Sequence, residues 1–235
     1  MQKLLGNIIN AIYPRHCPVC HEILKDQNNL ACPKCFGKLH PLMGARCKKC
    51  GKPVEKEAEY CHDCGKYKRS FDEGRGAFLY DRIWKNSLMK YKYFGCREYA
   101  DFYAYVLYKV AEKDIRRWKP DLILPVPLHP KKERIRGFNQ SRLLAEKISL
   151  RTGIPVDCTI VRKTQKTKSQ KKLGAEERRR NLQNAFVVTK ALDGRKILVI
   201  DDVFTTGSTM DAMAAKLKKH GAEEVFFLTL CIGFH

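Results

Sequence analysis

Between residues 17 and 64, eight cysteines stand in four C-x-x-C pairs: Cys17/Cys20, Cys32/Cys35, Cys47/Cys50 and Cys61/Cys64. No other feature of the chain restricts its fold as tightly. Two thiolates three positions apart in a tight turn grip one face of a tetrahedral ion, and a second such turn closes the site. The economical arrangement is two successive ribbons, each holding one structural zinc. Cys17, Cys20, Cys32 and Cys35 are then the first metal site, and Cys47, Cys50, Cys61 and Cys64 the second; interleaved pairing is the alternative. The segment is too small and polar to fold on a core, so the metal is expected to supply much of its folding free energy. Closed four-cysteine sites leave no open coordination position, which argues against zinc catalysis. Such ribbons grip nucleic acid, a partner protein or the neighbouring domain, and the spacing does not choose among these. His16, His21, His40 and His62 read as surface residues, and Cys96, Cys158 and Cys231 as small core residues.

The stretch "MQKLLGNIINAIYP" carries Leu4, Leu5, Ile8, Ile9 and Ile12 at helical spacing, and Pro14 ends it. It reads as a short helix docked on its own protein, or as a peripheral helix for a membrane or partner. It lacks the basic start and cleavage site of a signal peptide. No apolar run reaches the roughly 18 residues of a membrane span. The expected location is therefore cytoplasmic, where cysteines seldom form a disulfide framework. Residues 1–70 are expected to form the N-terminal helix and double zinc ribbon, and residues 71–235 a second domain.

That second domain alternates strand and helix. Apolar bursts at 76–80, 121–127, 154–161, 196–202 and 224–232 read as strands. Between them Tyr99, Phe102, Tyr103, Val106, Leu107 and Val110 share one helical face. Helices over 139–152 and 208–220 end before Gly153 and Gly221, which suit left-handed caps. The fold class is α/β: a mostly parallel sheet with flanking helices, preceded by the small zinc-ribbon domain.

Within it, "ILVIDDVFTTGST" at 197–209 runs a buried strand, Ile197–Ile200, into Asp201 and Asp202, then into a loop that opens a helix. In open α/β sheets, ligands bind beyond the carboxyl ends of the strands. A helix N-terminus with a glycine and hydroxyl side chains is a ready phosphate site: Gly207 turns backbone N–H groups inward, and Thr205, Thr206, Ser208 and Thr209 add donors. Carboxylates accept hydrogen bonds from vicinal hydroxyls or hold Mg2+ through water. A diol beside a phosphate describes ribose 5-phosphate. Lys and Arg exceed Asp and Glu by 21 (46 against 25), so the partners are expected to be anionic. Nine Lys or Arg fall within 162–180, a solvated loop or a mobile basic lid.

The motif at 197–209 resembles the 5-phosphoribosyl-1-pyrophosphate (PRPP) motif of type I phosphoribosyltransferases, and no Walker A pattern competes with it. The resemblance implies that Asp201 and Asp202, as the catalytic acids, contact the ribose hydroxyls directly or through Mg2+, and that Thr205, Thr206, Gly207, Ser208 and Thr209 cradle the 5-phosphate. It also implies a pyrophosphate loop at Val126, Pro127 and Leu128, with Lys131, Lys132, Arg134 and Arg136 behind it. It further implies a flexible lid with Arg162, Lys163 and Arg178.

Taken in order, the cysteine pairs, "KYFGCREYA" at 92–100, "PVPLH", "RGFNQ", the basic segment and "DDVFTTGST" resemble the ComF/GntX family, competence protein F. That resemblance implies a phosphoribosyltransferase-like domain behind a double zinc ribbon. It also implies handling of incoming single-stranded DNA on the cytoplasmic side, peripheral to the membrane, beside a channel component and a helicase. Two readings follow. One is a phosphoribosyltransferase whose acceptor is unnamed, since no purine or pyrimidine pocket is legible. The other is a non-catalytic nucleic-acid-binding adaptor. For the latter, Lys90, Tyr91, Lys92, Tyr93 and Phe94 interleave charge with aromatic rings that either stack on bases or belong to a helix core.

Overall fold

A computed structural model of the protein describes residues 14–164 and 185–233. The apolar opening over residues 1–13 lies outside the described residues. So does the basic segment from 165 to 184, with Gln165, Gln170, Leu173, Arg178 and Asn181.

The two ribbons repeat one plan. In the first, the Cys17 N–H donates to the Glu22 carbonyl at 2.8 Å and the His21 N–H returns to Cys17 at 2.9 Å. In the second, Cys47 donates to Lys52 at 2.7 Å and Gly51 returns to Cys47 at 3.0 Å. The residue after each knuckle is left-handed: His21 at φ 68° and Gly51 at φ 74°. Gly51 is required for a second reason, since a Cβ there would lie 2.6 Å from the Gly74 carbonyl oxygen. Each ribbon's second cysteine pair opens a short helix, α1 (Pro33–Phe36) after Cys32 and α2 (His62–Lys66) after Cys61.

The remaining elements are β1 (Glu73–Leu79), α3 (Arg82–Tyr93), α4 (Tyr99–Trp118), β2 (Leu122–Pro125), α5 (Pro130–Arg136), α6 (Gln140–Thr152), β3 (Val161–Lys163), β4 (Phe186–Val188), β5 (Lys196–Phe204), α7 (Ser208–Lys219) and β6 (Glu224–Ile232). Four strands form one parallel sheet in the order β1–β6–β5–β2. Alternate residues of its central strands serve two separate cores, as the two-residue period of a doubly covered sheet requires. Leu198, Ile200, Phe226 and Leu228 pack with α3, α4 and α6, whereas Ile197, Val199, Val225 and Phe227 pack with α7. No helix among the described residues is long and apolar enough to cross a membrane.

Each ribbon joins a different core. Cys17, Leu24 and Ala31 pack beside Tyr99 and Phe102, and His21 Nδ1 meets the Tyr99 hydroxyl at 3.1 Å. Cys47 and Cys50 pack with Phe71, Phe204 and Phe227 on the other face. Arg46 of the second ribbon bonds the buried Asp114 of α4 at 3.0 Å, and Arg75 of β1 donates to the Leu42 carbonyl at 3.0 Å. The ribbons thus grip their own second domain.

Three sequence expectations are corrected. Residues 154–161 make only one parallel bridge, Val156 to Ile123, before β3 begins. Asp157 ends it by turning its carboxylate onto the Thr159 and Ile160 N–H groups at 2.7 and 3.3 Å, an Asx turn that diverts the backbone from the ladder. The basic segment is entered and left by strands, since β3 pairs antiparallel with β4. Finally, Cys231 is buried as expected, but Cys96 and Cys158 are half-exposed.

Candidate functional site

The strand carrying the acid pair does not stop at Ile200. It continues to Phe204, which pairs with Ile232 of β6. What ends near Ile200 is the neighbour on the other side. β2 runs out at Pro125, opposite Ile200, after one more bond from Val126 N–H to the Ile200 carbonyl at 3.0 Å. Asp201 and Asp202 therefore lie where β5 still has β6 on one edge and has lost β2 on the other. That gap is the crevice in which an open parallel sheet binds ligands.

The first turn of α6 organises the crevice. The Asn139 side-chain oxygen caps the helix by accepting from the Ser141 and Arg142 N–H groups at 3.0 and 3.3 Å. Its amide donates to the Val126 carbonyl at 3.1 Å, holding the start of the candidate pyrophosphate loop. Gln140 donates to Asp202 at 3.2 Å, and the Ser141 hydroxyl donates to Asp201 at 2.6 Å. Arg136 in turn bonds the Gln140 side chain and crosses the Tyr93 ring at 4.8 Å. The "RGFNQ" motif, which the sequence marked only as the lead into a helix, ties the proline loop to Asp202, and the next residue, Ser141, reaches Asp201.

Lys92, from α3, is a charged neighbour of the acids that the sequence reading placed in an aromatic-basic run and at the head of "KYFGCREYA". It forms a buried ion pair with Asp202. Burial alone would raise the Asp202 pKa, but Lys92 outweighs it and holds the carboxyl below the usual carboxylate range. Asp201 behaves oppositely, because burial and the adjacent Asp202 charge push its carboxyl well above that range despite the Ser141 hydroxyl. The two acids are thus unlike: Asp202 is committed to Lys92 and Gln140, while Asp201 has the Ser141 hydroxyl as its partner and the raised carboxyl of the pair.

Past Phe204 the loop turns at Gly207, with φ 78°. A Cβ on Gly207 would meet Phe204 Cζ at 2.7 Å, so only glycine fits over that ring. Thr205 and Thr206 are exposed, Ser208 and Thr209 half-exposed, and the Thr206 and Ser208 hydroxyls lie 2.8 Å apart.

On the β2 side a cleft of about 210 Å3 is lined by Pro127, Leu128, Asn139, Cys158, Arg162 and Lys163, among others. Pro127 and Leu128 of the candidate pyrophosphate loop thus line the same cleft as Arg162 and Lys163, while Val126 is buried. Burial and Lys132 lower the Lys163 pKa, and Asp201 acts in the opposite sense, which places Lys163 within the field of Asp201. Of the interleaved run, Tyr91 is core, bonding the Gln140 carbonyl at 2.8 Å. Tyr93 and Phe94 are 58% and 69% exposed.

The metal centres are separate. The eight paired cysteines form two groups, Cys17/Cys20/Cys32/Cys35 and Cys47/Cys50/Cys61/Cys64, with ligand atoms within 4.8 Å of one another. The sulfurs of Cys20 and Cys32 are 3.8 Å apart and those of Cys50 and Cys61 3.6 Å. Four thiolates at about 2.3 Å from zinc define tetrahedral edges of about 3.8 Å. Both groups fit structural zinc, paired sequentially rather than interleaved.

Comparison with known proteins supports both halves. Residues 8–65 match the double zinc ribbon domain model, and residues 138–233 match the phosphoribosyl transferase domain model. Competence protein F of Haemophilus influenzae is 30% identical over 217 residues, covering 84% of this chain and 94% of that protein. DNA utilization protein YhgH of Escherichia coli K12 is 41% identical over 112 residues, about half of each chain (48% and 49%). Among solved structures, a purine phosphoribosyltransferase from Pyrococcus horikoshii aligns at 20% identity over 56% of this chain and 71% of its own, with a TM-score of 0.36.

Proposed function

The chain belongs to the competence protein F family, and on that premise we propose that its crevice binds PRPP or a similar phosphosugar with Mg2+ and transfers the ribosyl phosphate to an acceptor during DNA uptake. The observation that carries the reading is the unlike acid pair on β5, set between a hydroxyl-lined helix start and the proline loop after β2. In this reading Thr205, Thr206, Gly207, Ser208 and Thr209 take the 5-phosphate. Asp201 faces the ribose hydroxyls. Asp202, fixed by Lys92 and Gln140, holds that geometry rather than ligating freely. Val126, Pro127 and Leu128 receive the pyrophosphate, with Arg162, Lys163 and Arg178 neutralising it as it leaves.

Mg2+ takes oxygen ligands and is commonly held through one or two carboxylates plus substrate phosphates. Asp201 suits that arrangement better than Asp202, whose charge is already matched by Lys92. The ion would screen the negative charge of the pyrophosphate. The protein's own part is to position the sugar, exclude water and keep Asp202 ionised.

A second reading is favoured by exposed Tyr93 and Phe94, with Arg136 over the Tyr93 ring. In it the domain binds single-stranded DNA, or a helicase or membrane channel component of the uptake machinery, without consuming PRPP. Both readings place the protein on the cytoplasmic side, peripheral to the membrane. Incubation with PRPP, Mg2+ and candidate acceptors, single-stranded DNA included, separates them. Pyrophosphate release that vanishes in the Asp201→Asn variant supports the transferase. Salt-sensitive DNA binding with no release, unchanged in that variant, supports the adaptor.

A further inference from the structure

The segment leaving the second ribbon runs beneath the loop assigned to the 5-phosphate. Only Tyr67 and Lys68 separate the end of α2 from Arg69. Arg69 Nη2 donates to the Thr206 carbonyl at 3.1 Å. The next residue's N–H, on Ser70, donates to Asp211 in the first turn of α7 at 2.6 Å. Phe71 then packs edge-on against Phe204 and Phe227, with centroids 6.2 and 5.0 Å away. Lys52, also of the second ribbon, pairs with Asp63 at 2.9 Å and lies 6.0 Å from the Phe204 ring centroid.

Two facts show on which side of the loop Arg69 works. A Cβ on Gly207 would point at Phe204 and would come 3.6 Å from Arg69 Nη1, so ring and guanidinium together form the floor. A trans peptide sets its C=O and N–H on opposite sides. By holding the Thr206 carbonyl down, Arg69 turns the Gly207 N–H up, toward the face left for an anion. Arg69 is half-buried, and its Nε is buried without a hydrogen-bond partner among the described residues.

We propose that Arg69 is a positioning residue of the phosphate loop, and that through it phosphosugar binding is coupled to metal retention in the second ribbon and not in the first. The inference rests on the ribosyl-phosphate reading given above. The first ribbon packs on α3 and α4, in the opposite core, and serves as an internal control. Coupling free energy is reciprocal. If the ribbon preorganises the loop, a ligand in the loop must tighten the ribbon's hold on its ion.

The test uses the full-length, zinc-loaded protein with ribose 5-phosphate and PRPP as probes. Calorimetry gives the affinity, and competition with a colorimetric chelator, read at equilibrium, gives zinc retention with and without ribose 5-phosphate. The expected wild-type result is tighter retention of one zinc and unchanged retention of the other. Arg69→Gln is expected to keep both ions, bind the probes at least tenfold more weakly, and show no protection. Arg69→Lys, which retains a donor for the Thr206 carbonyl, is expected to regain much of both. Should Arg69→Gln lose metal outright, Arg69→Lys and the wild-type retention pattern decide the matter. Ligand binding without protection, equal protection of both ions, or unchanged affinity in Arg69→Gln would each overturn the coupling. No binding of either probe by the wild type overturns the site itself, and the coupling with it.

Discussion

Replacing Lys92 with Met removes one half of a buried ion pair while keeping an unbranched apolar stem of similar length. The Lys92 and Asp202 side chains are 21% and 7% exposed, so water does little to replace the lost partner. The hydrogen bond from Gln140 at 3.2 Å remains. Stripping one partner from a buried pair costs about 3–5 kcal/mol. Protonation limits the loss. Neutralising a carboxyl of ordinary pKa at neutral pH takes about three units at about 1.4 kcal/mol each, or about 4 kcal/mol.

The sign of the pH dependence follows from the same geometry. In the wild type the Asp202 pKa is depressed, so its contribution is present above the unfolded value near pH 4 and fades as pH falls through the folded value. In Lys92→Met the folded value rises above the unfolded one, and the penalty is greatest at neutral pH and shrinks toward about pH 4. Urea denaturation of both proteins, zinc-loaded, at about pH 7.5 and about pH 5 measures this. We expect a deficit of about 3–4 kcal/mol at the higher pH, clearly smaller at the lower, and largely recovered by the Lys92→Met/Asp202→Asn double variant. A deficit under about 0.5 kcal/mol, the level of an ordinary surface substitution, would refute the buried-pair argument. So would a deficit that does not narrow with acid.

Asp201→Asn is expected to have the opposite effect on stability. Burial and Asp202 raise the Asp201 pKa, so its ionisation costs the folded state progressively as pH rises from about 4. The variant should gain about 1–2 kcal/mol near neutral pH by urea titration while losing phosphosugar affinity in calorimetry; destabilisation would contradict the assignment. Gly207→Ala should lose about 1–3 kcal/mol or more, through its left-handed backbone and overlap with the Phe204 ring, and its 5-phosphate binding should fail in the same calorimetric assay. Chelating both zinc ions should undo the ribbons and uncover Tyr99 and Phe102, which are 1% and 0% exposed. Strong binding of a hydrophobic dye with the far-ultraviolet signal of the sheet retained is the expected readout.

Local pattern was enough for much of this protein. The C-x-x-C spacing declared two four-cysteine sites because a tetrahedral ion demands paired ligands at short range. β6 and the helices after Asn139 and Gly207 stood out because their periodicity and caps are properties of neighbouring residues. The hydroxyl loop and the two acids were legible for the same reason, being contiguous. Other features depend on partners distant in the chain. Where β5 becomes functional is decided by where β2 stops beside it, and residues 154–161 lose their strand to a turn at Asp157. Lys92, Gln140 and Ser141 reach the acids only because α3 and α6 pack over the same end of the sheet, and Arg69 reaches Thr206 across 137 residues. Side chains this far apart meet through sheet register and helix packing, and their meeting made two adjacent aspartates chemically unequal.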